Sequence, residues 1–160
     1  SDETVVSIAK RWFYLTQPVV LDTAERYLAG TTQQFDVIHV DLYNSGGPAA
    51  FDAAFWERCL DALAPGGCLA TNWADFASNR AVKPMAESQA EIARGRGLDC
   101  FYVTRRGFRD NLIQYVPTAA RLASLTEAHH RFAKARRLPN GGRGTLEHCV
   151  VTPDFPIDFD

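Results

Sequence analysis

The 160-residue sequence lacks most of the devices that announce a function at once. Its four cysteines, Cys59, Cys68, Cys100 and Cys149, form no C-x-x-C pair, so no zinc ribbon or dithiol redox motif is written in it. Each lies in an apolar or strand-like context (RCLDAL, GGCLAT, DCFYV, HCVV). That is the setting of free buried thiols in a reducing cytosol, and a cytoplasmic location is expected. The four histidines, His39, His129, His130 and His148, show no metal-ligand spacing with Cys, Asp or Glu, so no metal is expected. Charge of one sign is also lacking: the formal net charge is -2, which gives no overall pull toward nucleic acid or an anionic membrane. No apolar run approaches the ~18 residues of a bilayer span. The start, SDETVVSIAKRWF, has early acids and no charged-then-apolar signal pattern. There is no internal repeat and no dividing linker. A G-x-G-type loop is absent as well, because GGP at 46–48, PGG at 65–67 and NGGRG at 140–144 each stand in the wrong context for one.

What is present is an ordinary globular composition, 46% hydrophobic and 22% charged, in a chain long enough for a sizeable core. Residues 4–14 predict a short helix with Val5, Ile8, Ala9 and Trp12 at helical spacing and Asp2 as its cap. PVVL predicts a short strand ending at Asp22, and TAERYLAG one or two helical turns closed by Gly30. FDVIHVD is β-branched and apolar and predicts a buried strand that delivers Asp41 into the loop LYNSGGP. AAFDAAFWERCLDAL predicts an amphipathic helix stopped by APGG, and CLATNW the next strand. A helix over roughly 80–95 ends at Gly95 and Gly97. DCFYVTR and NLIQYV are close enough together to form an antiparallel hairpin. A helix over 118–137 and a last short strand in LEHCVV complete the reading, with 138–160 as loop and tail of a single α/β domain spanning 1–160.

Helix and strand alternate and a hairpin closes the set. The expected fold is α/β: a Rossmann-like sheet, mostly parallel, with an antiparallel C-terminal hairpin. Ligands of such sheets bind at strand C-termini, where Asp22 and Asp41 are expected.

In order, DETVVSIAKRWF, VVLDTAERYL, FDVIHVDLYNSGGP, FWERCLDALAPGGCLATNW and DNLIQYV resemble the spermidine synthase family, polyamine aminopropyltransferases with the class I S-adenosylmethionine-dependent methyltransferase-type fold. The resemblance covers about 1–117, and the block 35–72 is its most specific part. It implies that Asp41 is catalytic, binding the attacking amine and taking its proton, since only a neutral amine is a nucleophile. It implies that Asp22 accepts from the adenine amino group, with Thr23 where glycine is common. Tyr43, Asn44 and Asn72 would line the substrate side. Asn44 stands near a second acidic position of true aminopropyltransferases, and an amide cannot carry that charge. The implied cofactor is decarboxylated S-adenosylmethionine, or S-adenosylmethionine itself in a methyltransferase, and the partner a small-molecule amine. The family's first strands, glycine-rich loop and ribose-binding glutamate would precede residue 1, so the N-terminal strands are expected to be missing and the site incomplete. A homodimer is expected, and a non-catalytic remnant acting through oligomerisation is the alternative of a different class.

Simpler roles stand beside these. Asp41 and Asp22 could each be a cap, Asn72 could close its own loop, and Tyr43 could merely cover the pocket. His39 reads as a satisfied core residue and Trp12, Trp56 and Trp73 as packing residues. The run of His129, His130, Arg131, Lys134, Arg136 and Arg137 reads as a solvated helix face.

Overall fold

The computed structural model describes residues 2–44, 47–48, 51–74, 76, 79–105, 111–118 and 149–152. The chain divides into two compact units, Ser1–Gln33 and Gln34–Asp160. The expected helix over 118–137, with its histidine and arginine run, lies outside the described residues.

The first unit is held by local interactions. Helix α1, Glu3–Trp12, begins at Asp2, whose carboxylate accepts from the Thr4 N–H at 2.8 Å as the sequence suggests. Helix α2, Ala24–Gly30, is capped by Thr23, whose Oγ accepts from the Arg26 N–H at 3.2 Å. Neither helix buries a residue. The apolar stripe of α1 is exposed, Trp12 by 65%, with the Arg11 guanidinium 5.1 Å over its ring. The expected strand PVVL is not formed: 18–21 carry no strand pairing, and Val19, Val20 and Leu21 are exposed. A strand exists only by pairing, and β-propensity without a ladder partner does not make one.

The second unit is built on a five-stranded sheet. Its strands are β1, Phe35–Val40; β4, Leu63–Ala74; β5, Phe101–Arg105; β6, Asn111–Pro117; and β7, Cys149–Thr152. They lie in the order β1-β4-β6-β5-β7. β1 pairs parallel with β4, whereas β6 enters antiparallel between β4 and β5, and β7 is antiparallel to β5. Thus β1, β4 and β5 share one direction, and the expected β5–β6 hairpin is present. A separate two-stranded ribbon, β2 (Tyr43–Asn44) with β3 (Gly47–Pro48), replaces the plain loop expected there.

Helix α3, Ala53–Asp61, starts at Asp52, whose Oδ1 accepts from the Phe55 N–H at 2.8 Å. The APGG that follows it is absorbed into β4 as an irregularity: the register passes from Phe35↔Leu63 to Val37↔Cys68. Gly66 turns the chain there at φ 83. Gly67 admits no side chain, since a Cβ would lie 2.9 Å from both the Ala64 and Phe35 carbonyl oxygens. Helix α4, Val82–Gly95, closes with Gly97 at φ 71, its N–H donating to the Arg94 carbonyl and the Leu98 N–H to that of Ala93, a Schellman ending.

The core lies between these helices and the sheet. Trp56 of α3 packs on Trp73 of β4, ring centroids 5.9 Å apart, and both are buried. A buried polar network runs through it. Trp73 Nε1–H donates to Gln114 Oε1 at 2.7 Å, and Gln114 Nε2 donates to the Ala86 carbonyl of α4 at 2.9 Å. From the same helix, Gln89 Nε2 donates to Thr71 Oγ1 at 3.0 Å. His39, expected in the core, is exposed instead: Val40, next to it on β1, is buried on one face of the sheet, and His39 lies on the other face with the exposed Val37. Trp12 likewise is no packing residue of a core.

Candidate functional site

The end of β1 and the middle of β4 lie side by side in parallel register, the last pair being Val40↔Thr71. Asp41 leaves β1 one residue later, and Asn72 follows Thr71 on β4. Their side chains meet: Asn72 Nδ2 donates to Asp41 Oδ1 at 3.0 Å. Asp41 is exposed, and among the described residues nothing takes its Oδ2. It caps none of the described helices; the α3 cap is Asp52.

Tyr43 completes the arrangement. Past Val40 no described strand pairs with the β1-facing edge of β4, and the Tyr43 hydroxyl bonds its backbone groups instead. It accepts from the Ala74 N–H at 2.6 Å and donates to the Asn72 carbonyl at 3.0 Å. Unfilled backbone groups at a sheet end cost free energy when water is kept from them, and one hydroxyl answers two here. Asn72 is further fixed from the other side by the ladder to β6, opposite Ile113. Below it, the Gln89 bond to Thr71 ties the same stretch of β4 to α4. The sequence singles out Asp41, Tyr43 and Asn72 one by one; their mutual bonding depends on strand register, which no motif states. Gln89 carries no sequence signal at all. Asn44 sits on β2 directly after Tyr43, opposite Gly47.

Asp22 and Thr23 belong to the other unit. With PVVL unpaired, Asp22 does not end a strand, contrary to expectation. Its Oδ1 accepts from the Thr23 N–H at 2.8 Å and lies 3.4 Å from Arg26 Nε. Thr23 is the α2 cap. Both side chains therefore serve the first turn of α2, and among the described residues this pair does not make a complete seat for an adenosyl cofactor. The described residues hold no group of three or more His, Cys, Asp or Glu placed for a metal ion, and no described helix is long and apolar enough to cross a membrane.

The described thiols are free and shielded. Burial pushes the Cys59 thiol up to about 12 and Cys68 up to about 11, the latter opposed by a backbone hydrogen bond at Val116. Cys100 is raised by burial too, against hydrogen bonds to Gln114 and Tyr102 and the Arg94 charge. A thiol held neutral by desolvation is a poor nucleophile, so these cysteines are packing residues.

A Rossmann-like α/β sheet with an antiparallel strand inserted near its end, and a carboxylate at the C-terminus of a parallel strand, define the fold class and the candidate site. Among solved structures, a probable spermidine synthase from Corynebacterium glutamicum matches with a TM-score of 0.68 at 17% sequence identity, over 92% of this chain and 54% of its own. The fold is thus spermidine synthase-like, and the chain spans about half the length of that neighbour. No family model matches the sequence, and neither does any curated protein.

Proposed function

We propose that the chain supplies the amine-binding end of a spermidine synthase-like transferase domain. The observation that carries this reading is the Asp41–Asn72 pair: a strand-end carboxylate with one oxygen held by an amide and the other open. A cationic amine donates to that open oxygen. Asp41 then takes a proton: the N–H bond breaks, its electron pair stays on nitrogen, and the proton goes to Oδ2, leaving a neutral amine able to attack a carbon electrophile. Aminopropyl transfer from decarboxylated S-adenosylmethionine is the finer reading, supported by the likeness of fold and the motif order around Asp41.

Methyl transfer from S-adenosylmethionine is the second reading, favoured by one feature, the amide at Asn44. With no acid there, a second ammonium gains little. Diaminobutane should therefore bind within about threefold of n-butylamine, and Asn44→Asp should favour the diamine by about tenfold.

Heteronuclear NMR titration of the chain tests the proposal. Expected are saturable shifts at Asp41 and Asn72 with n-butylamine near a Kd of about 1 mM, none with butanol, and weak binding of either cofactor form, above about 100 µM. Equal response to amine and alcohol would defeat it.

A further inference from the structure

We infer that Asn72 is a positioning residue that acts on an amine only through Asp41, and that the Tyr43 hydroxyl holds it in place. This rests on the proposed amine-binding role of Asp41 and assigns Asn72 and Tyr43 a part different from lining the substrate side.

The geometry gives Asn72 one direction. Its Nδ2 points to Asp41 Oδ1 at 3.0 Å, while its Oδ1 is buried and has no hydrogen-bond partner among the described residues. An orphaned buried carbonyl is costly, so the amide keeps this orientation for what its nitrogen does. Turning the amide over would set its oxygen against the carboxylate oxygen, with no proton between them. Asn72 therefore offers Asp41 a donor and offers an incoming amine nothing: its acceptor is shut away from solvent, and its nitrogen would repel an ammonium.

The consequence for Asp41 is that one lone pair of Oδ1 is taken and one orientation of the carboxylate plane is favoured. An amine then meets Oδ2 as the less encumbered oxygen, on a group whose rotation is restricted, which lowers the entropic cost of binding. A carboxylate on the first residue beyond a strand would otherwise sample several rotamers.

The support for Asn72 is double. Asn72 stands in the β4–β6 ladder opposite Ile113, between Thr71 and Trp73, which pair with Gln114 and Leu112, and its carbonyl receives the Tyr43 O–H at 3.0 Å. The same hydroxyl takes the Ala74 N–H at 2.6 Å, so Tyr43 spans the residues on both sides of Trp73 and keeps the β4 edge closed where β1 has ended. Trp73 itself is pinned on the opposite face by Gln114. The strand segment that carries Asn72 is thus tied on each side, and residual motion at the carboxylate is taken out by one amide.

A double-mutant cycle on n-butylamine affinity, read by NMR titration of the chain, separates this from a direct contact. Asn72→Ala should weaken binding about tenfold in the native background and add no further loss in the Asp41→Asn background. Tyr43→Phe should weaken it by about threefold, with the same dependence on Asp41, while Asn72→Ala and Tyr43→Phe both keep the dispersed spectrum of the folded chain. In the otherwise native chain, Asp41→Asn should shift the Asn72 side-chain amide resonances. Additive losses in the cycle would overturn the inference, as they mean Asn72 touches the amine itself. Unchanged affinity in Asn72→Ala would overturn it too. If Asn72→Ala fails to fold, the Tyr43→Phe cycle decides by the same criterion. A native chain that binds no amine defeats the proposed function, and this inference with it, whereas native binding weakened in Asp41→Asn with an additive cycle defeats the inference alone.

Discussion

The two units use the same helical language to different ends. In α1 an apolar stripe at helical spacing leaves Trp12 exposed, and the helix buries no residue. In α3 the same kind of stripe buries Phe55, Trp56, Cys59 and Leu60. A cap and an amphipathic pattern suffice to start a helix, but packing supplies most of its stability. The second unit therefore supplies a packed frame, and Asp41 lies in it.

The largest effect should come from Trp73→Ala. It deletes a buried indole and leaves Gln114 Oε1 without its donor, so a loss of about 3–5 kcal/mol is expected in denaturant unfolding of the second unit. Trp12→Ala, at an exposed indole, should cost under about 0.5 kcal/mol. Comparable losses at the two positions would erase the contrast.

Alkaline pH should act next. An unfolded thiol ionises near 9, and burial raises Cys59 to about 12 and Cys68 to about 11 in the folded chain. Because the folded values are the higher ones, this stability is complete below pH 9 and is lost as pH rises through 11 and 12. Unfolding midpoints measured from pH 8 upward should fall over that range by an amount on the order of a few kcal/mol, and replacing Cys59 with Ala should flatten the fall. A profile unchanged by that substitution would count against the shielded thiol.

Gly67→Ala sharpens the contrast at one backbone position. The methyl meets two carbonyl oxygens at 2.9 Å, neither of which is a flexible chain end, so a loss of about 1–3 kcal/mol is expected. Gly30→Ala, with nothing within 4 Å of the added carbon, should be close to neutral.

The smallest effects are at the caps. Asp52→Ala should lower the unfolding free energy of the second unit by about 1 kcal/mol. Asp2→Ala should reduce helical circular dichroism and leave that cooperative transition where it was. A shift of the main transition in Asp2→Ala would show that the first unit contributes to it.

Much of this was legible in the sequence for local reasons. Asp2 before TVVSIAKRW, Gly97 after α4 and the short link between DCFYVTR and NLIQYV each carry their structure in a few neighbouring residues. FDVIHV reads as a strand because β-branched residues suit a pleated surface. PVVL carries the same signal and fails, because its missing ingredient is a neighbour and not a propensity. His39 departs from its expected place for a related reason: alternation along a strand puts His39 and Val40 on opposite faces but does not tell which face is covered. Asp41 was legible from its place at the end of a hydrophobic run. Its bond to Asn72 was not, since it joins residues brought together by the parallel register of β1 and β4.

The central claim, that Asp41 is the group that receives an amine, is tested most directly by NMR titration of Asp41→Asn with n-butylamine beside the native chain. The substitution keeps the shape of the side chain and removes its charge and its capacity to accept a proton. The account predicts that affinity falls by about tenfold or more, with the dispersed spectrum and the unfolding midpoint close to native. Native affinity in Asp41→Asn would contradict it.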